Sequence, residues 1–161
     1  MKPIHELGTA ERFRRLMGRY TTGVSVLLAR EGGEVVGLTA NSLTSVSLEP
    51  LLLLFCLRQE SASAARLLRV GRFTVNLLAE SQQQASRHFA GPRDASQALD
   101  TVGDGTHVWL PGSNGVFKCE VADVHPGGDH RIVVARVLDL IGPDVATPPL
   151  LYHEGSYARL G

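Results

Sequence analysis

Val24-Ser25-Val26-Leu27-Leu28-Ala29-Arg30-Glu31-Gly32-Gly33-Glu34-Val35-Val36-Gly37-Leu38-Thr39-Ala40 sets two aliphatic runs on either side of a Gly-Gly pair. That pattern predicts a β-hairpin with strands over 24–29 and 35–40. Upstream the period is helical. Thr9 is placed to cap, Glu11 lies in the first turn, and Phe13, Leu16, Met17 and Tyr20 fall at i, i+3, i+4 and i+7. This stripe is expected to face the core. Downstream, the hydroxyl-rich residues 41–48 and Glu49-Pro50 lead into Leu51 to Leu57, seven apolar residues in a row. A strand apolar at every position is expected to be covered on both faces, by helices or by a second subunit.

The rest of the chain continues in short elements. Ser61 to Val70 predicts a helix stopped by Gly71, and Phe73 to Leu78 a strand. Ser81-Gln82-Gln83-Gln84 fits a capping box that opens a helix through Phe89, stopped by Gly91-Pro92. Residues 93–114 have no period and predict an irregular or mobile loop. Phe117, Cys119 and Val121 alternate with Lys118 and Glu120, the signature of a half-buried edge strand. A turn at His125 to Asp129 precedes a long strand from Ile132 to Ile141. Six or seven strands and three short helices without βαβ alternation predict a mainly β fold, an antiparallel Greek-key barrel.

Composition narrows the class. One domain fits 161 residues, and 43% hydrophobic with 20% charged residues is globular. Sixteen basic and sixteen acidic residues cancel, which argues against a nucleic-acid binder working through a whole-domain basic field. Two cysteines make neither a disulfide framework nor a four-cysteine zinc site. The longest apolar run is far short of the roughly 20 residues that span a bilayer, and the N-terminus has no signal-peptide core. A cytoplasmic protein with no membrane segment is expected.

The segment richest in potential chemistry is Gly37 to Ser47, where six of eleven side chains carry a hydroxyl or amide. Small side chains let a flat ligand reach the backbone, and hydroxyls with turn amides suit a phosphate. A solvated Ser/Thr loop fits the composition equally well. Arg58-Gln59-Glu60-Ser61-Ala62-Ser63 runs into a helix start, whose dipole and free amides favour an anion. Simple capping by Ser61 is the plainer alternative. His130, at a turn-to-strand junction, could donate to a ligand or serve only structurally. Tyr152 and Tyr157 could stack on a planar group or pack a C-terminal hook into the barrel. There is no G-x-G-x-x-G after a strand, no P-loop, no H-E-x-x-H and no nucleophile elbow. Cys56 and Cys119 read as structural, and no metal ligands are expected. Any catalysis should therefore rest on a bound cofactor.

The ordered blocks Phe13-Arg14-Arg15-Leu16-Met17, Thr21 to Val26, Gly37-Leu38-Thr39-Ala40-Asn41-Ser42, Thr44 to Ser47, Cys56-Leu57, Phe73 to Leu78, Phe89-Ala90-Gly91, Gly128-Asp129-His130 and Tyr152 to Tyr157 resemble the short-chain flavin reductases. These are the reductase components of two-component flavin-dependent monooxygenases, and the likeness spans roughly residues 11–158. It implies a split β-barrel of the FMN-binding type, a homodimer, FMN or FAD as cofactor and NADH or NADPH as co-substrate. It also implies a partner monooxygenase that receives reduced flavin. By position, Gly37, Thr39, Ala40, Asn41, Ser42, Ser45, Val46, Ser47, Cys56, Leu57, Arg58, Ser61, Ser63 and Phe89 would contact flavin. His130, Tyr152 and Tyr157 would face the nicotinamide, with His130 the candidate catalytic residue. Two departures stand out: Glu49-Pro50 replaces the family's Pro-Pro, and residues 93–114 match poorly. An electron-carrier module of the same fold, without efficient NAD(P)H turnover, is the alternative reading.

Overall fold

The computed structural model describes residues 2–91 and 98–161. A 3-10 turn (Ile4–Glu6) precedes helix α1 (Thr9–Gly18), and strands β1 (Thr22–Gly23), β2 (Ser25–Glu31), β3 (Glu34–Ala40), β4 (Thr44–Leu48) and β5 (Leu51–Arg58) follow. Helix α2 (Ala62–Val70), strand β6 (Arg72–Leu77), a 3-10 turn (Glu80–Gln82) and helix α3 (Gln83–Ala90) come next. The chain continues with β7 (Val102–Gly103), β8 (Val108–Trp109), β9 (Gly115–Gly127), β10 (His130–Ile141), β11 (Leu151–His153) and β12 (Ser156–Ala158). Seven strands form one antiparallel sheet in the order β3-β2-β6-β9-β10-β5-β4, which curls into a split barrel. The hairpin expected at 24–40 is β2 paired with β3, from Ser25 opposite Ala40 to Glu31 opposite Glu34.

The core lies in two layers separated by the sheet. Leu27, Ala29, Leu53, Phe55, Phe73, Val75, Cys119 and Val133 fill the barrel interior. Val24, Val26, Leu28, Leu78, Ala85, Phe89, Val108, Leu110 and Leu150 form the second layer, under α3 and the C-terminal segments. Within the chain, the strand buried on both faces is β2, whose odd and even residues enter different layers; Leu51 to Leu57, expected to be covered by helices or by a second subunit, is covered by its own chain on one face only. In β5 only Leu53, Phe55 and Leu57 are buried, while Leu52, Leu54 and Cys56 stay half-exposed on the outer face. An unbroken apolar run says that both faces can be covered, but carries no record of what covers them.

Other expectations are corrected in the same way. Helix α1 forms with Gly8, not Thr9, at its N-cap, and none of its residues is buried. Phe13, Leu16, Met17 and Tyr20 are exposed rather than core-facing, because among the described residues no element packs over the stripe. The helix that ends before Gly91 is opened by Gln82, whose Oε1 accepts from the Ala79 amide at 3.0 Å; Ser81 does not cap it. Strand β9 is interior, paired with both β6 and β10, not an edge. The expected turn at His125 to Asp129 is only Gly128-Asp129, with strand on either side.

Residues 98–114 are largely irregular, as expected, with the two short strands β7 and β8 added, and they are fastened to the core; residues 92–97 lie outside the described residues. The segment is held by buried polar side chains distant in sequence. Asn76 Oδ1 accepts from the Leu110 amide at 2.9 Å and Thr74 Oγ1 donates to the Val108 carbonyl at 2.6 Å. Asn76 Nδ2 also donates to the Val26 carbonyl at 2.9 Å. Outside, Lys118 bridges Asp104 and Asp139 at 2.9 and 3.1 Å. The Asp104 carboxyl is held well below its ordinary range, first by the backbone amide of His107 and then by Lys118. Such long-range anchoring leaves no periodic mark in the sequence.

Helix α2 follows the sequence closely. Ser61 caps it by accepting from the Ala64 amide at 3.2 Å, and Gly71 terminates it in the left-handed conformation. Ala64 and Leu67 on its inner face join the barrel core, which aims its N-terminus at the split end of the sheet.

Candidate functional site

A cavity of about 560 Å³ opens where β3 and β5 diverge. It is lined by Leu38 to Ser42, Cys56 to Arg58, Glu60, Ser61, Ser63 and Ala64, by Phe89 to Gly91, and by His130. Its volume is that of a site for a single organic ligand. The register explains the grouping: His130 at the start of β10 lies opposite Arg58 at the end of β5. The β5–α2 loop and the β9–β10 turn thus meet at one rim.

Of the residues named from the sequence, Thr39, Ala40, Asn41, Ser42, Cys56, Leu57, Arg58, Ser61, Ser63, Phe89 and His130 line this cavity. Several have defined roles in building it. Ser42 Oγ accepts from the Cys56 amide at 2.9 Å and contacts the Cys56 carbonyl at 3.3 Å, so it pins the loop after β3 onto β5. Thr39 Oγ1 donates to the Ser86 carbonyl at 2.7 Å and fastens α3 over β3. Arg58 and the first turn of α2 supply positive potential, since Ala62 and Ser63 belong to the turn whose amides a helix leaves unpaired.

The remaining named residues lie elsewhere in the single chain. Gly37 sits behind the cavity wall. A Cβ there would lie 2.5 Å from Phe89 Cδ1 and 2.6 Å from Leu28 Cδ2, so its lack of a side chain lets Phe89 lie against β3. Ser45, Val46 and Ser47 are on the outer strand β4, largely exposed and away from the cavity. Tyr152 and Tyr157 pack edge to face with centroids 5.7 Å apart, against the second core layer. The Tyr157 hydroxyl shares a hydrogen bond of 2.8 Å with Ser86 Oγ, and the Arg87 guanidinium stands 5.5 Å from its ring. This is the C-terminal hook considered above, and it holds α3 from behind.

Sequence reasoning missed Leu38, Glu60, Ala64, Ala90 and Gly91 in the cavity wall. Ala64 was accessible to it, being one turn on from Ser61 on the face of α2 that buries. Glu60 lowers the positive character of the rim, so recognition of an anion there rests on Arg58 and the helix start. Asp129 was named only as part of a turn, yet its Oδ1 lies 2.7 Å from His130 Nδ1. Its carboxyl is held below the ordinary range, chiefly by that hydrogen bond and by the nearby charges of His130 and Arg58. Of the two thiols, Cys119 is buried and pushed up to about 12 by desolvation, whereas Cys56 borders the cavity. Among the described residues, no cluster of three His, Cys, Asp or Glu could hold a metal, and no helix is long and apolar enough to cross a membrane.

Comparison with known proteins agrees with this architecture. The 4-hydroxyphenylacetate 3-monooxygenase reductase component of Thermus thermophilus is 38% identical over 151 residues, covering 93% of this chain and 96% of its own. The crystal structure of a nitrilotriacetate monooxygenase component B homologue from Mycobacterium thermoresistibile superposes with a TM-score of 0.88 at 35% identity, covering 94% of this chain and 87% of its own. An NADH:FAD oxidoreductase of Streptomyces globisporus, solved in complex with NAD and FAD fragments, gives 0.87 at 31% identity, covering 95% of this chain and 93% of its own. The model of the flavin reductase like domain matches residues 17–161, so the chain belongs to the flavin reductase-like family.

Proposed function

We propose that this protein is an NAD(P)H:flavin oxidoreductase that reduces FMN or FAD and releases reduced flavin to a partner monooxygenase. The observation that carries this reading is a cavity in which the α2 start, Arg58 and His130 converge at one rim. The fit to a flavin phosphate is chemical: a guanidinium, two serines and a helix N-terminus, offset in part by Glu60, at one end of a cavity whose other walls are mostly small or apolar. A bound flavin supplies the redox chemistry, accepting a hydride from the reduced nicotinamide. The chain itself positions. Arg58, Ser61 and Ser63 hold the phosphate end, while Thr39 to Ser42 and Cys56-Leu57 present backbone and small side chains to the ring and ribityl chain. Phe89 closes the cavity against the second core layer. His130 reaches the rim from β10 and orients the nicotinamide, with no proton transfer required of it. A single flavin reductase domain over residues 1–161, in the cytoplasm, completes the proposal.

The chain is also proposed to act as a homodimer. It exposes 9748 Å², against about 7,800 Å² expected for a compact monomer of 17.3 kDa. The excess is more than the roughly 800 Å² that one partner buries in a standard interface and falls in the range of roughly 1,000–2,500 Å² per partner of obligate dimers. Its apolar part includes Phe13 on α1, 66% exposed, Tyr20 just beyond that helix, 71% exposed, and Leu48 at the end of β4, 88% exposed. Ser47, opposite Leu52 in the β4–β5 register, lies on the same side of the sheet as the outer face of β5.

The primary test follows nicotinamide absorbance after NADH is added to the protein with FMN or with FAD. Enzyme-proportional loss of the band with many turnovers of free flavin is the expected result; flavin binding without turnover would favour the electron-carrier reading. His130→Ala is expected to keep flavin affinity within about twofold and to lose at least about tenfold in kcat/KM for NADH, about 1.4 kcal/mol of transition-state stabilisation. Unchanged turnover would remove His130 from the site. A thiol reagent added to the native protein is expected to modify one cysteine, Cys56, and saturating flavin to slow that reaction at least about fivefold. Peptide mapping that finds Cys119 labelled first, or no protection, would contradict the placement of flavin along β5.

A further inference from the structure

We propose that Gln59 is a positioning residue that couples the flavin side of the cavity to His130, so that occupation of one half of the site organises the other. The inference rests on the proposed function. Gln59 does not line the cavity, although its neighbours Arg58 and Glu60 do. It reaches instead across the rim to the β9–β10 turn, where three successive carbonyls face it. The Gln59 amide donates to the Asp129 carbonyl at 3.0 Å, and its side-chain Nε2 donates to the Gly128 carbonyl at 3.0 Å. The same nitrogen lies 3.5 Å from the His130 carbonyl.

The turn needs such a partner. It has two residues, with Gly128 at φ +69°, and it stands at the tip of the long β9–β10 arm. A hairpin tip is ordinarily held only by its own strands and by water. Here the tip carries His130, whose ring is further fixed by Asp129 at 2.7 Å. The orientation of the imidazole therefore depends on a turn whose outer carbonyls are bound by one residue of the β5–α2 loop, the Asp129 carbonyl by its backbone amide and the Gly128 carbonyl by its side chain. That loop is also the proposed flavin phosphate rim: Arg58 precedes Gln59 and the Ser61 cap of α2 follows it by two residues. A ligand that orders residues 58–63 thus orders Gln59, and through it the Gly128–His130 tip. By linkage, the nicotinamide must act back on flavin by the same factor.

The experiment compares wild type with Gln59→Ala, Gln59→Glu and Gln59→Lys. Glutamate has the shape of glutamine but, ionised, cannot donate to a carbonyl; lysine can donate. Two quantities decide: the KM for NADH at saturating FMN, and the ratio of NAD⁺ dissociation constants measured by titration without and with saturating FMN. In wild type that ratio is expected to exceed about threefold. In Gln59→Ala and Gln59→Glu, KM for NADH is expected to rise about fivefold, the order of one hydrogen bond, and the ratio to fall toward unity. FMN affinity and the thermal midpoint should stay near wild type, and Gln59→Lys should recover most of both losses. Unaltered KM and coupling ratio in the Ala and Glu variants would overturn the inference. So would a loss of FMN affinity as large as the rise in KM, since Gln59 would then act on the fold of the rim as a whole. A wild-type protein that binds FMN but consumes no NADH would overturn the functional reading and this inference together; turnover in wild type with indistinguishable variants would overturn this inference alone.

Discussion

Gly37→Ala is expected to lower the thermal midpoint by about 3–10 °C and to weaken flavin binding at least about tenfold, although Gly37 touches no ligand site. One added methyl group would stand 2.5–2.6 Å from two ring carbons of Phe89 and 2.6 Å from Leu28 Cδ2. Neither neighbour can yield cheaply: Phe89 is 7% exposed between α3 and β3, and Leu28 is fully buried. Overpacking of this kind costs about 1–3 kcal/mol, and each kcal/mol lowers the midpoint of a domain this size by about 2–4 °C. Relief requires α3 to move away from β3. That movement would carry Phe89, Ala90 and Gly91 out of the cavity wall and strain the Thr39–Ser86 hydrogen bond. Gly33→Ala is the matched control, because a Cβ there meets nothing within 4 Å. Thermal melts and flavin titrations on both variants, with Gly37→Ala/Phe89→Leu as a relief variant, decide the matter. A Gly37→Ala protein that melts and binds like wild type would show that α3 does not brace the wall.

This case marks the boundary of what could be read before the structure. Gly37 was singled out as part of a ligand-binding block, and the fold gives it a different task, one of clearance. Local signals survived folding well. The Gly-Gly turn set the β2–β3 register, and Ser61 with Gly71 set both ends of α2, because turns and caps are satisfied by residues near in sequence. The residues of the cavity wall also stood out, since small hydroxyl side chains, a guanidinium and a helix start within 25 residues have few structural reasons to be together. What was not legible depends on partners distant in sequence. Asn76 and Thr74 hold 108–110 from 34 residues away, and an aperiodic segment gives no hint of it. Gln59 binds carbonyls of a turn some 70 residues on, and carbonyls are offered by every residue. Periodicity separates one face of an element from the other but does not say which neighbour covers it, so the apolar run of β5 does not reveal that its own chain covers only one of its faces.

The α1 stripe is the strongest instance of that last limit, and it carries the second large effect. Phe13→Glu with Leu16→Glu is expected to convert the protein from dimer to monomer at micromolar concentration and to reduce NADH–flavin turnover by at least about fiftyfold. Both side chains are exposed in the single chain, so their replacement removes nothing from either core layer. The monomer should therefore stay folded. Helix propensity is also preserved, because glutamate is among the better helix formers. An amphipathic helix with every apolar side chain in water is not stable on its own at ten residues; packing must supply the rest. Polar contacts tie it to the chain at its end, where the Glu154 amide donates to the Gly18 carbonyl at 2.7 Å and Arg19 pairs with Glu154, and at Arg15, which donates to the Lys2 carbonyl at 2.6 Å. A second subunit seated on the stripe would cover it. Ser45, Val46, Ser47 and the two tyrosines were expected at the ligand, yet they do not reach the cavity of their own chain. If the site is completed across the interface, loss of the dimer should abolish turnover while leaving secondary structure intact. Sedimentation velocity, circular dichroism and NADH oxidation on the same preparation separate the possibilities. A folded, fully active monomer would show that each chain binds and reduces flavin alone, and that the stripe serves another partner.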